Sequence, residues 1–285
     1  MSNHEGAMRQ NTSARRGAHA LLRSITVLLM AVGVATWGAA SASAKPGATK
    51  RLITKDWGLP TTIAAYQGKL YVAINATVYA VDKGGKSQDL YRGDTGVGGV
   101  SLMTVLDDTL YALVGSTLYR VEKTGKFTQI GEDFRRATAF AAAYDRLFIV
   151  SDGALWRVAK DGDYKKLEGD WYIEALTELD GKLYAVRSTG ELWELDRDGN
   201  KKLLSSSFEN ATHMTSGNGK LYIYVYGNAS ALHEVDKAGK STVILSGGFG
   251  QELSGAAGVA ALDGKLYAVA TNSSRETVVL AVDTK

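Results

Sequence analysis

Six copies of a short motif, a leucine followed by an aromatic residue, recur along most of the chain. The leucines are spaced 40, 37, 36, 38 and 45 residues apart, and they are Leu70, Leu110, Leu147, Leu183, Leu221 and Leu266. Periods near 40 that contain several short strands are typical of propeller blades, whereas helical repeats of this length show a 3.6-residue apolar rhythm. The repeat therefore predicts an all-β fold, a six-bladed β-propeller. It does not by itself indicate a ligand or a reaction.

Each unit is predicted to contain four short strands separated by turns. In the first unit we expect strands at 61–66, around the Leu70-Tyr71 pair, at 78–82 and at 88–91, because aromatic and β-branched residues alternate there between Gly and Asp clusters. In five units a glycine stands four residues after the third strand's last apolar residue. A tight hairpin needs a residue with positive φ, and glycine adopts it without a steric clash.

The two ends of the chain look like fragments of one further repeat. After Val282 the sequence ends in Asp283-Thr284-Lys285, before the expected turn glycine, so the sixth unit lacks an outer strand. The segment 49–52 with 55–57 resembles 164–167 with 169–171, which is an outer strand and the loop that follows it. We therefore predict that residues near 50 to 56 pair with the C-terminal strands and close the propeller, which removes the exposed sheet edges.

The first 44 residues differ from the rest and predict a secretory signal peptide at 1–44, ahead of a propeller at 45–285. Four arginines precede an apolar run at 25–34, and Ala42-Ser43-Ala44 offers a small-residue cleavage pattern. We expect secretion to the extracellular, periplasmic or cell-wall space after cleavage near Ala44, with no stable membrane insertion. Two alternatives stay open: an uncleaved membrane anchor, and twin-arginine export through Arg15-Arg16 rather than the general pathway.

Charge and cysteine content narrow the function classes. Without the four arginines and one glutamate of the leader, the chain has 29 basic and 29 acidic side chains. This balance disfavours nucleic-acid binding, because neutralising phosphates requires clustered lysine and arginine side chains. There is no cysteine, which excludes disulfides, thiolate catalysis and cysteine-bound metal. We expect a monomer without a cofactor.

The inner strands of a propeller line a central channel, and the sequence offers little chemistry there. The two positions of each inner strand expected to face the channel are mostly small, and none is Asp, Glu, Asn or Gln. The oxygen ligands that would hold a hard cation, as in lactonase-like six-bladed hydrolases, are therefore missing, and no metal site is predicted. Glu174 and His213 near the channel mouth are the one acid/base pair that can be assembled. The alternative for His213 is a channel-lining residue bonded to a hydroxyl or water.

The loops that lead into each blade suggest a binding surface. An aromatic residue recurs there, and an acidic residue precedes it in three loops; the residues are Trp57, Phe134, Trp171, Phe208 and Phe249, with Asp56, Asp133 and Asp170. An exposed aromatic ring beside a carboxylate is a common arrangement for binding a sugar. The alternative is that the aromatics wedge between blades. Tyr224 and Tyr226 lie in an irregular segment without counterparts in other units, and we expect them to contact a ligand.

The repeated Gly-Lys-Leu-Tyr-Ala-Val, followed by Leu-Trp/Tyr-x-Val-Asp-x-x-Gly, resembles the blade repeats of bacterial secreted propellers of the quinoprotein-like and tachylectin-like kinds. The resemblance covers about residues 50 to 285 and implies the fold alone. Quinoprotein enzymes would imply a larger propeller and a metal-bound cofactor. Our leading hypothesis is a secreted, non-catalytic module that binds an extracellular glycan, cell-wall material or protein. The alternative is a hydrolase, lyase or isomerase with its site at the channel mouth.

Overall fold

The computed structural model describes residues 49–92, 99–227, 230–247 and 253–284. The predicted signal peptide at 1–44 and Phe249 lie outside these ranges. Within them every regular element is a β-strand, and 24 strands form six four-stranded antiparallel sheets. The all-β fold and the six-bladed β-propeller are thus confirmed. No helix in the described ranges is long and apolar enough to cross a membrane.

The blades follow one another along the chain. Blade 1 contains β2 (Pro60–Tyr66), β3 (Lys69–Ile74), β4 (Thr77–Val81) and β5 (Ser87–Arg92). Blade 2 contains β6 (Val100–Leu106), β7 (Thr109–Val114), β8 (Thr117–Val121) and β9 (Phe127–Gly131). Blade 3 contains β10 (Ala139–Ala143), β11 (Arg146–Ser151), β12 (Ala154–Val158) and β13 (Tyr164–Leu167).

The second half of the chain continues this order. Blade 4 contains β14 (Ala175–Leu179), β15 (Lys182–Val186), β16 (Thr189–Leu195) and β17 (Lys201–Glu209). Blade 5 contains β18 (Ala211–Gly217), β19 (Lys220–Val225), β20 (Ala231–Val235) and β21 (Ser241–Ser246). Blade 6 contains β22 (Leu253–Leu262), β23 (Lys265–Asn272), β24 (Thr277–Val282) and, as its outer strand, β1 (Thr49–Lys55).

The N-terminal strand closes the propeller as predicted. β1 pairs antiparallel with β24, so that Thr49 lies opposite Val282 and Lys55 opposite Thr277. The hydroxyl of Thr277 also donates a hydrogen bond of 2.6 Å to the carbonyl of Gly58, just beyond β1. Each inner strand contacts the next, and β22 contacts β2. The closed ring therefore depends on pairing between residues more than 200 positions apart.

Two kinds of turn account for the sequence repeat. Between the first and second strands, residues such as Asp180 (φ 51°) and Gly181 (φ 78°) both adopt positive φ, as the turns of two-residue hairpins require. Between the third and fourth strands, the Asp82 carboxylate accepts hydrogen bonds from the backbone N–H of residues 84 and 86. The turn glycine also abuts the preceding blade: a Cβ on Gly162 would lie 1.7 Å from the carbonyl oxygen of Ile130.

The apolar core is divided into six seams, one between each pair of neighbouring blades. Each hydrophobic cluster of described residues draws on two adjacent blades. One residue from the middle of each inner strand packs into the seam with the preceding blade; these are Ile63, Met103, Phe140, Leu176, Met214 and Val259. With no disulfide, the blades are held to one another by burial and hydrogen bonds.

The two ends of the propeller differ. We call the end that carries the crossing loops, which run from an outer strand to the next inner strand, the upper face; it also carries the turns between second and third strands. The other end is the lower face. On the lower face a lysine of one blade pairs with an aspartate of the preceding blade at three seams, in Lys83–Asp263, Lys160–Asp107 and Lys237–Asp180. These pairs are exposed, so each adds little stability.

We expect deletion of residues 45–56 to destabilise the protein by several kcal/mol. The deletion removes the ladder of β1 with β24 and exposes the apolar surface around Ile53, which is buried in the seam between blades 6 and 1. Chemical denaturation of the mature protein would measure the loss. Deletion of residues 45–48 alone is the control, because it leaves β1 intact. A chain without 45–56 that unfolds like its parent would contradict closure by β1.

Candidate functional site at the channel mouth

The inner strands enclose a central channel with a volume of about 660 Å³. All twelve positions predicted to face it do line it, from Thr62 and Ala64 in blade 1 to Gly258 and Ala260 in blade 6. The residues between them, such as Ile63 and Met103, also border the channel. Small and hydroxyl-bearing side chains dominate the wall. The channel is therefore open and mildly polar.

Hydroxyl groups join blades at the upper rim of this channel. Thr61 donates a hydrogen bond of 2.5 Å to the carbonyl of Val100 in blade 2. Thr138 donates one of 2.7 Å to the carbonyl of Ile173, which leads into blade 4. Both threonines stand nine residues before their unit's repeat leucine. In these two units the side chain nine residues before the repeat leucine thus ties one blade to the carbonyl at the start of the next.

Blade 5 breaks this pattern because a histidine takes the place of the threonine bond. The carbonyl equivalent to those of Val100 and Ile173 is that of Ala256, and it accepts a 2.9 Å hydrogen bond from Nε2 of His213. Thr212, at the position of Thr61 and Thr138, has a buried Oγ1 with no protein hydrogen-bond partner. His213 therefore replaces Thr212 at the seam between blades 5 and 6.

His213 is held in one tautomer by this bond. A carbonyl oxygen accepts and cannot donate, so Nε2 must carry the hydrogen. Burial lowers the pKa of His213, which keeps the imidazole neutral near pH 7. Tyr224 lies nearly parallel to the imidazole, with ring centroids 6.4 Å apart. The result is a fixed, neutral imidazole in the wall of the channel.

Glu174 lies at the same rim, at the position in blade 4 that corresponds to Thr61 and Thr138. Its carboxylate cannot donate the hydrogen bond that those threonines donate to the next blade. Its side chain is exposed, and both Glu174 and His213 line the channel. No hydrogen bond or ion pair joins the two among the described contacts. The sequence-predicted pair is thus brought to one cavity without direct contact. Its catalytic role stays a prediction.

The described aromatics among those predicted for the crossing loops occupy the seams, although Phe208 lies at the end of strand β17 rather than in a loop. Phe134, Trp171 and Phe208 are buried in the clusters between blades 2 and 3, 3 and 4, and 4 and 5, respectively. Trp57 is half-buried and stacks on Tyr79 of the following blade at 3.9 Å. Phe134 and Phe208 likewise meet Trp156 and His233 edge-on. These aromatics therefore pack between blades, which is the alternative to sugar binding that the sequence analysis left open.

The remaining predicted binding residues divide between the surface and the interior. Asp56, Asp133 and Asp170 are exposed beside the buried aromatics. Tyr226 is 57% exposed, whereas Tyr224 is buried at 1% exposure against His213. A ligand can reach Tyr226 directly, and Tyr224 only through a rearrangement of its surroundings. Ligand binding by all of these residues remains untested.

Two upper-face residues escaped the sequence prediction. Leu59 and Tyr172 are large, apolar or aromatic, and 60% and 66% exposed. Both stand eleven residues before their unit's repeat leucine. The same position is Asn210 in blade 5, and comparing the units there would have shown that two of them carry a large apolar or aromatic side chain. No group of three or more histidine, cysteine or acidic side chains able to hold a metal occurs in the described ranges.

Comparisons with known proteins establish the fold. No protein-family model and no curated protein sequence matches the chain. A streptogramin B lyase structure is 10% identical, covers 83% of this chain and 98% of its own length, and has a TM-score of 0.60. A Bacteroides thetaiotaomicron protein of unknown function is 16% identical, with coverages of 85% and 74% and a TM-score of 0.62. The resemblance to propeller proteins is confirmed, and identities this low show the fold alone.

A third structural neighbour is an extracellular domain. It is the extracellular domain of a putative hybrid two-component system from Bacteroides thetaiotaomicron, 12% identical with a TM-score of 0.57. The match covers 84% of this chain and 34% of that longer one. Propellers of this shape therefore include both an enzyme and an extracellular domain.

We expect Trp171→Ala to lower the free energy of unfolding by about 3–5 kcal/mol, because it leaves a cavity in the seam between blades 3 and 4. The neighbouring Tyr172→Ala should change it by less than about 0.5 kcal/mol, since that ring is exposed. Urea unfolding of the two variants measures both values. Equal stability of the two variants would show that Trp171 is not a wedge.

At the seam between blades 5 and 6, His213 makes the hydrogen bond that a threonine makes at other seams. We therefore expect opposite effects from substituting Thr138, which makes such a bond, and Thr212, which does not. Thr138→Val should cost about 0.5–1.5 kcal/mol of stability, because it removes the bond to the Ile173 carbonyl. Thr212→Val should be neutral or stabilising, because it replaces a buried hydroxyl without a protein partner by a methyl group. Thermal and urea unfolding of both variants would test this. A Thr212→Val loss as large as that of Thr138→Val would mean that the Thr212 hydroxyl is satisfied.

Proposed function

We propose that the protein is an exported, non-catalytic binding module that holds an extracellular glycan, cell-wall polymer or protein on its upper face. The observation that carries this proposal is the exposure of Leu59, Tyr172 and Tyr226 on the upper face. Aromatic rings with one free face and a polar edge are suited to sugars and to peptide side chains. The signal-peptide pattern and the extracellular neighbour support a location outside the cytoplasm.

The loops that carry these side chains are anchored well enough to form a preorganised surface. The Trp171 N–H donates to the Gly153 carbonyl at 3.3 Å, and the Tyr226 N–H to the Asn210 carbonyl at 3.0 Å. The buried Trp171 ring fixes the backbone next to Tyr172. Rigid aromatic side chains lose little entropy on binding, which favours affinity.

A glycan array and a pull-down from cell-wall and secreted fractions would identify the ligand. For that ligand, Tyr172→Ala and Tyr226→Ala should each weaken binding by about 1–3 kcal/mol, as for surface hot spots, with little change in melting temperature. Leu203→Ala, which truncates an exposed side chain on the outer strand β17, is the control and should have no effect. Empty results from both screens, or unchanged binding by both tyrosine variants, would overturn the proposal.

One observation favours a second function, a hydrolase, lyase or isomerase at the channel mouth. A neutral imidazole and a carboxylate line one cavity, and general acid/base chemistry needs groups of these types. A lyase is also among the structural neighbours. An activity that is lost on Glu174→Gln or His213→Ala, with the fold intact by circular dichroism, would replace the binding proposal by this one.

A further inference from the structure

Blade 5 carries a histidine at a position where four other blades carry a larger aromatic ring. The position lies two residues before the end of each third strand, and its occupants are Tyr79, Tyr119, Trp156, Trp193, His233 and Leu280. Of these side chains, only the imidazole ordinarily changes its charge between about pH 5 and 8. The seam between blades 4 and 5 therefore holds a group that titrates near neutral pH, unlike the equivalent positions.

His233 contacts the aromatic wedge of this seam. Its ring meets the ring of Phe208 edge-on, with the centroids 5.6 Å apart. Phe208 is fully buried in the cluster between blades 4 and 5. In blade 3, Trp156 meets the wedge Phe134 edge-on as well. His233 thus packs in the place of a tryptophan, with a smaller and more polar ring.

The imidazole of His233 has a buried nitrogen without a partner. The side chain as a whole is half-buried, but Nδ1 is buried and has no hydrogen-bond partner in the protein. A neutral imidazole can carry its hydrogen on Nε2 and leave Nδ1 as an acceptor, whereas an imidazolium carries a hydrogen on both nitrogens. Protonation therefore places a charged N–H group at a buried site with no acceptor, which is costly.

The strands that pair with β20 offer no counter-charge to His233. The residues opposite it are Ile223 on β19 and Val243 on β21. Glu234, the next residue along β20, accepts a hydrogen bond from Tyr222, which packs in the seam between blades 5 and 6. Successive residues of a strand face opposite sides of the sheet, so Glu234 is turned away from the seam that contains His233.

The ionisable side chains that blade 4 turns towards this seam are already neutral or paired. Among the described residues they are Tyr184, Glu194 and Asp180, with Lys202 opposite Glu194 in the sheet. Burial raises the pKa of Tyr184, so its phenol stays neutral near pH 7. Glu194 pairs with Lys182 and Asp180 with Lys237, and Glu209, beside the wedge, is exposed to solvent. A proton on His233 would thus find no unpaired buried carboxylate among these groups.

These surroundings fix the direction in which acid acts. Burial lowers the pKa of His233 below the value of about 6.5 of a free histidine, and no charge interaction offsets this effect. A seam that has opened to water therefore binds a proton more readily than the packed seam does. Stability that is fully present above about pH 6.5 is lost as the pH falls below that value, and the loss stops once the packed ring is itself protonated.

The backbone next to the wedge connects this seam to the upper face. Two residues after Phe208, Asn210 adopts φ 63°, in the left-handed region where residues other than glycine are uncommon. The Asn210 N–H donates to the Ser188 carbonyl at 2.6 Å, and the Asn210 carbonyl accepts from the Tyr226 N–H at 3.0 Å. Tyr226 of blade 5 is thus held by a residue whose own position depends on the wedge.

We propose that His233 makes the seam between blades 4 and 5 acid-sensitive: proton uptake by its imidazole loosens the contact with Phe208 and releases Tyr226 from Asn210 at the upper face. The equivalent positions of the other blades have no histidine, so the loosening is confined to this seam. It is a property of the fold and needs no ligand. Its consequence, that Tyr226 holds a ligand near neutral pH and releases it in acid, rests on the proposed function.

Protection factors from amide hydrogen exchange, measured on the mature protein without ligand at about pH 7.5 and about pH 5.5, test the proposal. We expect the protection factor of the Tyr226 amide to fall by about fivefold or more in acid. The Val100 amide, which bonds to the Asn75 carbonyl between blades 1 and 2, should change by less than about twofold.

Two variants assign the effect to His233. His233→Phe and His233→Tyr supply aromatic rings like those of other blades, and both should abolish the fall at the Tyr226 amide. Their melting temperatures should also drop less in acid than that of the parent, by about 2 °C or more. His213→Gln removes the other histidine of residues 45–285 and is the control, because it leaves the seam between blades 4 and 5 unchanged. It should retain the fall at Tyr226.

Titration of the two imidazole signals by NMR gives a test that does not depend on the folding of the His233 variants, since His213→Gln identifies which signal belongs to His233. A His233 pKa at or above about 6.5 would show that the Phe208 ring stabilises the charged imidazole, and would overturn the inference. Equal acid effects at Tyr226 and Val100, or an unchanged fall in both His233 variants, would overturn it too. Empty ligand screens would remove the proposed function but leave this acid sensitivity standing.

Discussion

The ladder between β1 and β24 is the contact on which the rest of the fold depends. Every other blade is formed from one continuous stretch of chain, and only blade 6 joins segments from the two ends. Long-range pairing of this kind must overcome a large loop-closure entropy before its hydrogen bonds stabilise the product. Once formed, it gives blade 6 its outer strand and leaves the ring with six equivalent joints. The channel and its mouth exist only because this ring is closed.

The joints are equivalent in topology but not in chemistry. Each has an apolar cluster. Among the described residues, the aromatic wedge is a tryptophan in two seams and a phenylalanine in two others, and the rim bond comes from a threonine in two seams and from a histidine in one. Blades 4 and 5 carry most of these departures: Glu174 stands where a hydroxyl would bridge, and His213 displaces Thr212. In repeat proteins the residues that pack between repeats stay similar, whereas residues at positions without packing constraints vary. The rim at blades 4 and 5 is therefore the part of the propeller where the residues can most readily serve a function.

Much of the fold could be predicted from the sequence because turns and strands leave local signals. The turn glycines, the Asp-Gly hairpins and the split sixth blade all follow from φ preferences and from matching one unit to another. The site was less predictable, because exposure depends on what lies across a seam. Trp171 and Tyr172 are neighbours in the chain, yet one is buried between two blades and the other faces solvent. Nothing local to residues 211–213 indicates that His213 takes the carbonyl a threonine would use, since that carbonyl lies in another blade.

The hydrogen bond of His213 has one property that a threonine bond lacks. Nε2 carries a hydrogen in both the neutral and the charged imidazole, so its bond to the Ala256 carbonyl persists when the ring gains a proton. What changes is Nδ1, which turns from an acceptor into a donor. Acidification would therefore leave the hydrogen bond between blades 5 and 6 intact, while Nδ1 of His213 would change from an acceptor to a donor. The same residue can thus hold the seam between blades 5 and 6 together in both protonation states, while the hydrogen bonding that it offers at Nδ1 changes with acidity.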